Sequence, residues 1–390
     1  MKKALSAAAV LALLSLVVHA TANVSLGQAA GAESSKSIAA ALQPLVDQQM
    51  LAGAVTLVAS KDKVLSLEAV GYADIAAKQP MRTDSLFWIA SQSKPITAFA
   101  LMMLVDDGKV NVDDPVEKYL PEFKGQMVVA ERDNDHVLLK KPKHPILVRN
   151  ILSHTSGLPF ASKIEQPTLD LYPLAVRVRS YAMTPLDFEP DSKSQYSNAG
   201  INTAGRIIEV VSGMPYEEFL SKRLFQPLGM KDTGFWPNQE QLKRLAKSYK
   251  PGPDKKGLEE TTIGQLKYPL DDPQRQPMPA GGLFSTATDL SIFYRLLANG
   301  GTWGGHPYLS EKALKQMTSK QTGALPNAYG FGISTDGHHI GHGGAYSTDS
   351  SLDLDHQLIT IFLVQHAGWP AGGEKALGTF HKAALERFAK

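Results

Sequence analysis

Strand-forming patterns stand at both ends of this 390-residue chain, and helical patterns fill its middle. Near the start, Ala54–Ala59 and Val64–Tyr72 read as a hairpin around Ser60-Lys61-Asp62-Lys63. Near the end, Gly330–Ser334, His339–Gly343, Ser350–Leu354 and Leu358–Gln365 read as strands separated by turns. A helix over Ser37–Met50 places Ile38, Ala41, Leu42 and Leu45 on one face, and a last helix from Lys375 to about Phe388 does the same with Leu377, Phe380, Ala384 and Phe388. Strands so far apart in sequence can share a core only if they join in one sheet. The expected fold class is therefore α/β (α+β): an antiparallel sheet flanked by terminal helices, with a mainly helical region inserted. One domain is expected over 37–390, its sheet part about 37–110 and 279–390 and its helical part about 111–278. Within the latter, helices are expected at Arg149–Leu152, Asn198–Val211 and from Pro215. A short helix is expected from Asp113-Asp114-Pro115 to about Leu120, a surface hairpin at Val128–Ala130 and Val137–Leu139, and mostly loop over 236–278.

The first residues have another reading. Lys2 and Lys3 precede an uncharged apolar run from Ala4 to Val18, then Ala20-Thr21-Ala22, a small-x-small site. This is the pattern of a secretory signal over 1–22, with cleavage expected after Ala22 and a disordered linker over 23–36. The run is shorter than the roughly 18 apolar residues of a membrane span, and no later stretch approaches that length. The expected location is the periplasm or the medium. The chain has no cysteine, so it has no disulfide, no thiol nucleophile and no cysteine for a lipid anchor. Its formal net charge of +2 falls to 0 without Lys2 and Lys3, so nothing favours a nucleic-acid partner.

Three constellations could carry chemistry. In Trp88–Ala100, the residues Ile96, Phe99, Ala100, Met103 and Leu104 form one apolar stripe, Pro95 suits a first turn, and Gly108 suits the C-terminal end. Ser91 and Lys94, three apart, share a side at the positive end of that helix. A hydroxyl beside an amine there is either a nucleophile with its activator or a cap with a surface charge. Gln195-Tyr196-Ser197-Asn198 precedes another helix. Beside an ammonium, Tyr196 would be drawn toward the phenolate and could take the Ser91 proton, while Asn198 could orient Lys94 or a substrate carbonyl. The plain alternative is a half-buried tyrosine and an N-cap asparagine. In Ile340-Gly341-His342-Gly343-Gly344-Ala345-Tyr346, glycines after a strand histidine let a ligand approach backbone N–H groups that could stabilise an oxyanion, or they merely make a turn.

Ser91-x-x-Lys94, Tyr196-x-Asn198 and His342-x-Gly344, in that order, resemble the motif triple of the class C β-lactamase-like serine hydrolases. That family includes β-lactamases, D-Ala-D-Ala carboxypeptidases, D-aminopeptidases and carboxylesterases. Asp113-Asp114-Pro115-Val116, Leu152-Ser153-His154-Thr155-Ser156-Gly157-Leu158 and Gly281-Gly282-Leu283 are similar too, and the likeness spans nearly all of 36–385. The resemblance implies a β-lactamase/transpeptidase-like fold and no cofactor or metal. It makes Ser91 the nucleophile, has Lys94 and Tyr196 manage its proton, and places the oxyanion hole at the N–H groups of Ser91 and Ala345. Asn198, His342, Gly343 and Gly344 would line the substrate. Which of Lys94 and Tyr196 is the base stays open, since coupled groups titrate as a pair.

Three departures bear on the substrate. His342-Gly343-Gly344 stands where the β-lactamases carry Lys-Thr-Gly, which removes a cation for a substrate carboxylate. Asp191 and Thr348 stand where glycine is usual. The expected partner is a small ester, amide or peptide, with an ester preferred, a D-amino-acid peptide next and a β-lactam third. A penicillin-recognising sensor with slow deacylation is the non-enzymatic alternative. An α/β-hydrolase would need a G-x-S-x-G elbow, and none occurs. A metal site drawn from His338, His339 and His342 with His366 or Asp336 lacks H-E-x-x-H, and His154 reads as structural.

Overall fold

The structure is a computed structural model and describes residues 37–389. The expected signal segment and linker, 1–36, lie outside the described residues. The main sheet has seven strands: β1 (Gly53–Ala59), β2 (Val64–Asp74), β3 (Gln79–Pro80), β4 (Ser334–Thr335), β5 (His339–Gly343), β6 (Asp349–Asp353) and β7 (Leu358–Leu363). Their order is β4-β5-β6-β7-β1-β2-β3, antiparallel throughout. The two ends of the chain meet at β1 and β7, where Val55 faces Leu363 and Leu57 faces Ile361.

Alternation of side chains sorts the sheet's two faces. Val55, Leu57, Ile359 and Ile361 face the central core with α2 (Ser93–Asp106) and α4 (Ala287–Ala298). Ala54, Val58, Leu358 and Phe362 face a second core closed by α1 (Ile38–Asp47) and α5 (Lys375–Phe388). Both faces are covered, so all seven residues of β1 are buried. α3 (Asn198–Ser212) packs on α2 within the central core. Its N-cap is Ser197, whose side chain accepts the Gly200 N–H, and it ends at Gly213 with φ 71°. Asn198 is thus the first helical residue, not the cap.

Several expected boundaries shift. Gly330–Ser334 is mostly turn: Gly330 N–H bonds back to Ile333, and Gly332, at φ 65°, abuts Lys94 and Ala98 so closely that no Cβ would fit. The stretch 236–278 holds a hairpin, Ser248–Pro251 with Leu258–Thr261, and a short helix at Gln239–Leu242. Asp113–Leu120 makes a 3-10 turn, Val116–Lys118, rather than an α-helix. Helices at Leu174–Ala182 and Glu311–Thr318 were not expected. Among the described residues no helix is long and apolar enough to cross a membrane.

Candidate active site

Ser91 lies in a 3-10 turn, Ala90–Gln92, that runs directly into α2. The turn is held from behind. Trp88 Nε1 donates to Gly281 O (2.7 Å), Ile89 N to Leu283 O (3.0 Å), and Ser93 Oγ to Ala90 O (2.7 Å). Phe87 and Trp88 pair with Ser285 and Phe284. Ala90 sits at φ 46°, a conformation that costs a non-glycine residue and survives only where surrounding contacts enforce it. The result is a serine raised at the mouth of a helix.

Lys94 is 0 % exposed. Its Nζ lies 3.0 Å from Ser91 Oγ and donates to Ala280 O at 2.7 Å. Among the described residues no carboxylate pairs with it, and burial pushes its pKa well below the ordinary lysine value, which favours the uncharged amine. The Tyr196 hydroxyl is within hydrogen-bonding reach of Ser91, and its ring lies 4.6 Å from Lys94 Nζ. Although 39 % of Tyr196 is exposed, its hydroxyl end is enclosed, and burial raises its pKa to about 12. Burial therefore works against the expected phenolate. Lys94 Nζ and the Tyr196 hydroxyl thus converge on Ser91 Oγ.

Tyr196 is stapled to the Ser153–Phe160 loop. Ser197 N–H donates to His154 Nδ1 (3.1 Å), Gln195 N–H to His154 O (2.9 Å), and Asn198 N–H to Phe160 O (3.0 Å). The His154 ring lies 4.5 Å from that of Tyr196. His154 is structural, as expected, but it supports Tyr196 directly. Asn198 does not hold Lys94, a task that falls to Ala280. Its buried Oδ1 has no partner, and the residue lines the cleft.

On the other side, β5 delivers His342, Gly343, Gly344 and Ala345 to the same cleft of about 370 Å³. Neither the Ser91 nor the Ala345 amide meets an acceptor among the described residues, and both residues line the cleft. His342 is 8 % exposed. Its Nδ1 donates to Gly343 O (2.6 Å), since a carbonyl can only accept, so Nε2 accepts from the Tyr329 hydroxyl (3.0 Å). Burial depresses its pKa to about 3. His342 is a fixed neutral ring.

The glycines differ. A Cβ on Gly344 would sit 2.1 Å from Thr348 Oγ1 and 2.6 Å from Ile89 O, whereas one on Gly343 would meet nothing closer than 3.6 Å. Gly344 lets the chain after β5 touch the turn that carries Ser91, and Thr348 fills the space beside it. Asp191 takes a glycine-like φ of 65° and accepts from Asn150 Nδ2 at 2.7 Å, so the exchange adds a tie to the loop. The histidines of the alternative metal set are not brought together: His338 pairs with Asp355, His339 with Asp336, and His366 Nε2 accepts the Ala52 N–H. Sequence reasoning missed Ala280, Tyr329 and Phe160. Of these, only Ala280 had a local signal, the Gly281-Gly282 pair after it.

Fold and site define a class. Residues 38–383 match the family described as Beta-lactamase, and the chain belongs to it. An uncharacterized protein of Mycobacterium tuberculosis is 31% identical over 366 residues, 84% of this chain and 89% of that one. Esterase EstB of Burkholderia gladioli is 35% identical over 215 residues, 51% of this chain and 52% of its own length. Among solved structures, EstCE1, a hydrolase with promiscuous acyltransferase activity, superposes with a TM-score of 0.74 at 24% identity, covering 91% of this chain and 99% of that one. The D-amino acid amidase of Ochrobactrum anthropi gives 0.68 at 24%, covering 90% and 98%. Those two likenesses show the fold.

Proposed function

We propose that the chain is an exported serine hydrolase that cleaves small uncharged esters through an acyl-enzyme on Ser91. One observation carries the substrate class. Among the described residues no Asp, Glu or Arg lines the cleft, Lys94 is buried with its Nζ on Ser91 Oγ and Ala280 O, and His342 is neutral with both ring nitrogens engaged inside the protein. A D-Ala-D-Ala peptide or a β-lactam brings a carboxylate that needs a cation, and burying it unpaired costs several kcal/mol. An ester of an uncharged alcohol brings none. The likeness to Esterase EstB over about half of each chain supports the same reading.

In this mechanism the Ser91 Oγ–H proton passes to Lys94 Nζ as Oγ bonds the ester carbon. The resulting oxyanion is stabilised by the unpaired N–H groups of Ser91 and Ala345. The carbon–oxygen bond to the alcohol breaks, and Tyr196, protonated up to about pH 12, gives its proton to the leaving oxygen and regains one from the Lys94 ammonium. Water then attacks the acyl carbon as Lys94 takes its proton; the bond to Ser91 Oγ breaks, Oγ regains that proton from Lys94, and the acid leaves. Lys94 is the base because burial frees its lone pair while Tyr196 keeps its proton. The test offers a p-nitrophenyl ester series, a D-Ala-D-Ala peptide and a chromogenic cephalosporin to the wild type and to Ser91→Ala. Ester turnover well above the other two, lost in Ser91→Ala, is expected. Cephalosporin or peptide turnover exceeding it would overturn the substrate class, and one burst of product per chain followed by a stall would make the protein a sensor. Export through residues 1–22 is tested by N-terminal sequencing of the secreted or periplasmic protein, which should begin at Asn23.

A further inference from the structure

Lys94 works only if its lone pair points at Ser91, and its Nζ has one other hydrogen-bond partner, the Ala280 carbonyl. That carbonyl belongs to neither helix nor strand, so something else must aim it. The preceding peptide is clamped at both ends. Thr97 Oγ1 lies 2.7 Å from Pro279 O, and Asn202 Oδ1 accepts the Ala280 N–H at 3.0 Å. Asn202 stands one turn beyond Asn198 on α3. One turn further, Gly205 lets the helix close on Pro279, because a Cβ there would sit 2.4 Å from the proline ring.

The orientation of the Asn202 amide is itself dictated. The buried Glu165 carboxylate can only accept, so Tyr181 O–H donates to it (2.7 Å). The Tyr181 oxygen then accepts from Asn202 Nδ2 (3.0 Å), which turns Oδ1 toward Ala280. Asn202 and Tyr181 are fully buried and do not line the cleft.

We propose that Asn202 is a positioning residue for proton transfer between Ser91 and Lys94, acting through the Ala280 carbonyl and set by Tyr181 and Glu165. The inference rests on Lys94 being the base. The titratable groups facing Lys94 are Tyr196, His154 and His342, all uncharged at neutral pH. A new carboxylate at position 202 would therefore meet no competing charge on the Lys94 side, the Glu165–Arg177 pair lying beyond Tyr181.

The test is the pH dependence of kcat and KM for a p-nitrophenyl ester in Asn202→Leu, Asn202→Asp and Tyr181→Phe, with circular dichroism to verify folding. Asn202→Leu should lower kcat about 10- to 100-fold through loss of alignment while leaving KM nearly unchanged. In Asn202→Asp the added charge should stabilise the Lys94 ammonium and move the acid limb of kcat/KM up by about one pH unit. Tyr181→Phe should lower kcat less than Asn202→Leu does. Should Asn202→Leu not fold, the other two decide. A wild-type acid limb in Asn202→Asp together with wild-type kcat in Tyr181→Phe or Asn202→Leu overturns the proposal. Lys94→Ala, assayed alongside, separates the two readings: if it turns over normally, the mechanism itself fails. If it is inactive while the Asn202 and Tyr181 variants behave as wild type, only the positioning role fails.

Discussion

Lys94 serves the chemistry at the expense of the fold. A buried amine with no counter-ion holds its proton less well folded than in the unfolded chain, where it binds one up to about pH 10.4. Its folded pKa is depressed, so below about pH 10.4 the unfolded state binds more protons and this residue's contribution to stability falls as pH falls. Lys94→Met, of similar length and without the charge, should abolish ester hydrolysis. It should also raise unfolding free energy by about 1–3 kcal/mol at neutral pH and flatten its pH dependence, as read by urea melts on either side of neutrality. Because Tyr196 holds its proton to about pH 12, kcat/KM should rise with pH to a plateau and show no loss from this residue through mildly alkaline conditions. The residues that meet in the cleft were legible in the sequence, since Ser91 and Lys94 share one helical turn and Tyr196 opens another. Their states were not. Whether Lys94 is charged depends on its burial beneath Ala280, a residue 186 positions away, and no local pattern encodes that.

At the scale of elements, the chain after the strand that carries His342 meets the turn that carries Ser91 through a single glycine. Gly344→Ala would force Thr348 and Ile89 aside, so it should cost about 1–3 kcal/mol and most of the activity. Gly343→Ala, which meets nothing closer than 3.6 Å, should leave the melting temperature nearly unchanged. Differential scanning calorimetry of the two variants checks the contrast. Elements with strong periodicity were legible: the last helix spans Lys375–Phe388 and the second strand of the first hairpin begins at Val64, both as read from the pattern. Gly330–Ser334 misled because its apolar residues are buried in a turn wedged against α2. The hairpin within 236–278 was hidden because its strands are short and polar, held by cross-strand bonds rather than by an apolar face.

For the molecule as a whole, the closure of β1 on β7 makes the N-terminal and C-terminal segments one cooperative unit. Phe380 on α5 is fully buried and stacks on Phe362 of β7 at 5.6 Å. Phe380→Ala should cost about 3–5 kcal/mol, and urea should remove secondary structure and ester hydrolysis in one coincident transition, although Phe380 does not line the cleft. Loss of activity well before loss of structure would show that the site part unfolds alone. The claim on which all of this depends is that Ser91 is acylated. Intact-protein and peptide mass spectrometry after treatment with a fluorophosphonate ester tests it most directly. A single adduct per chain, on the peptide containing Ser91 and absent from Ser91→Ala, is predicted. An adduct on another residue that still abolishes ester hydrolysis, or hydrolysis undiminished in Ser91→Ala, would contradict it.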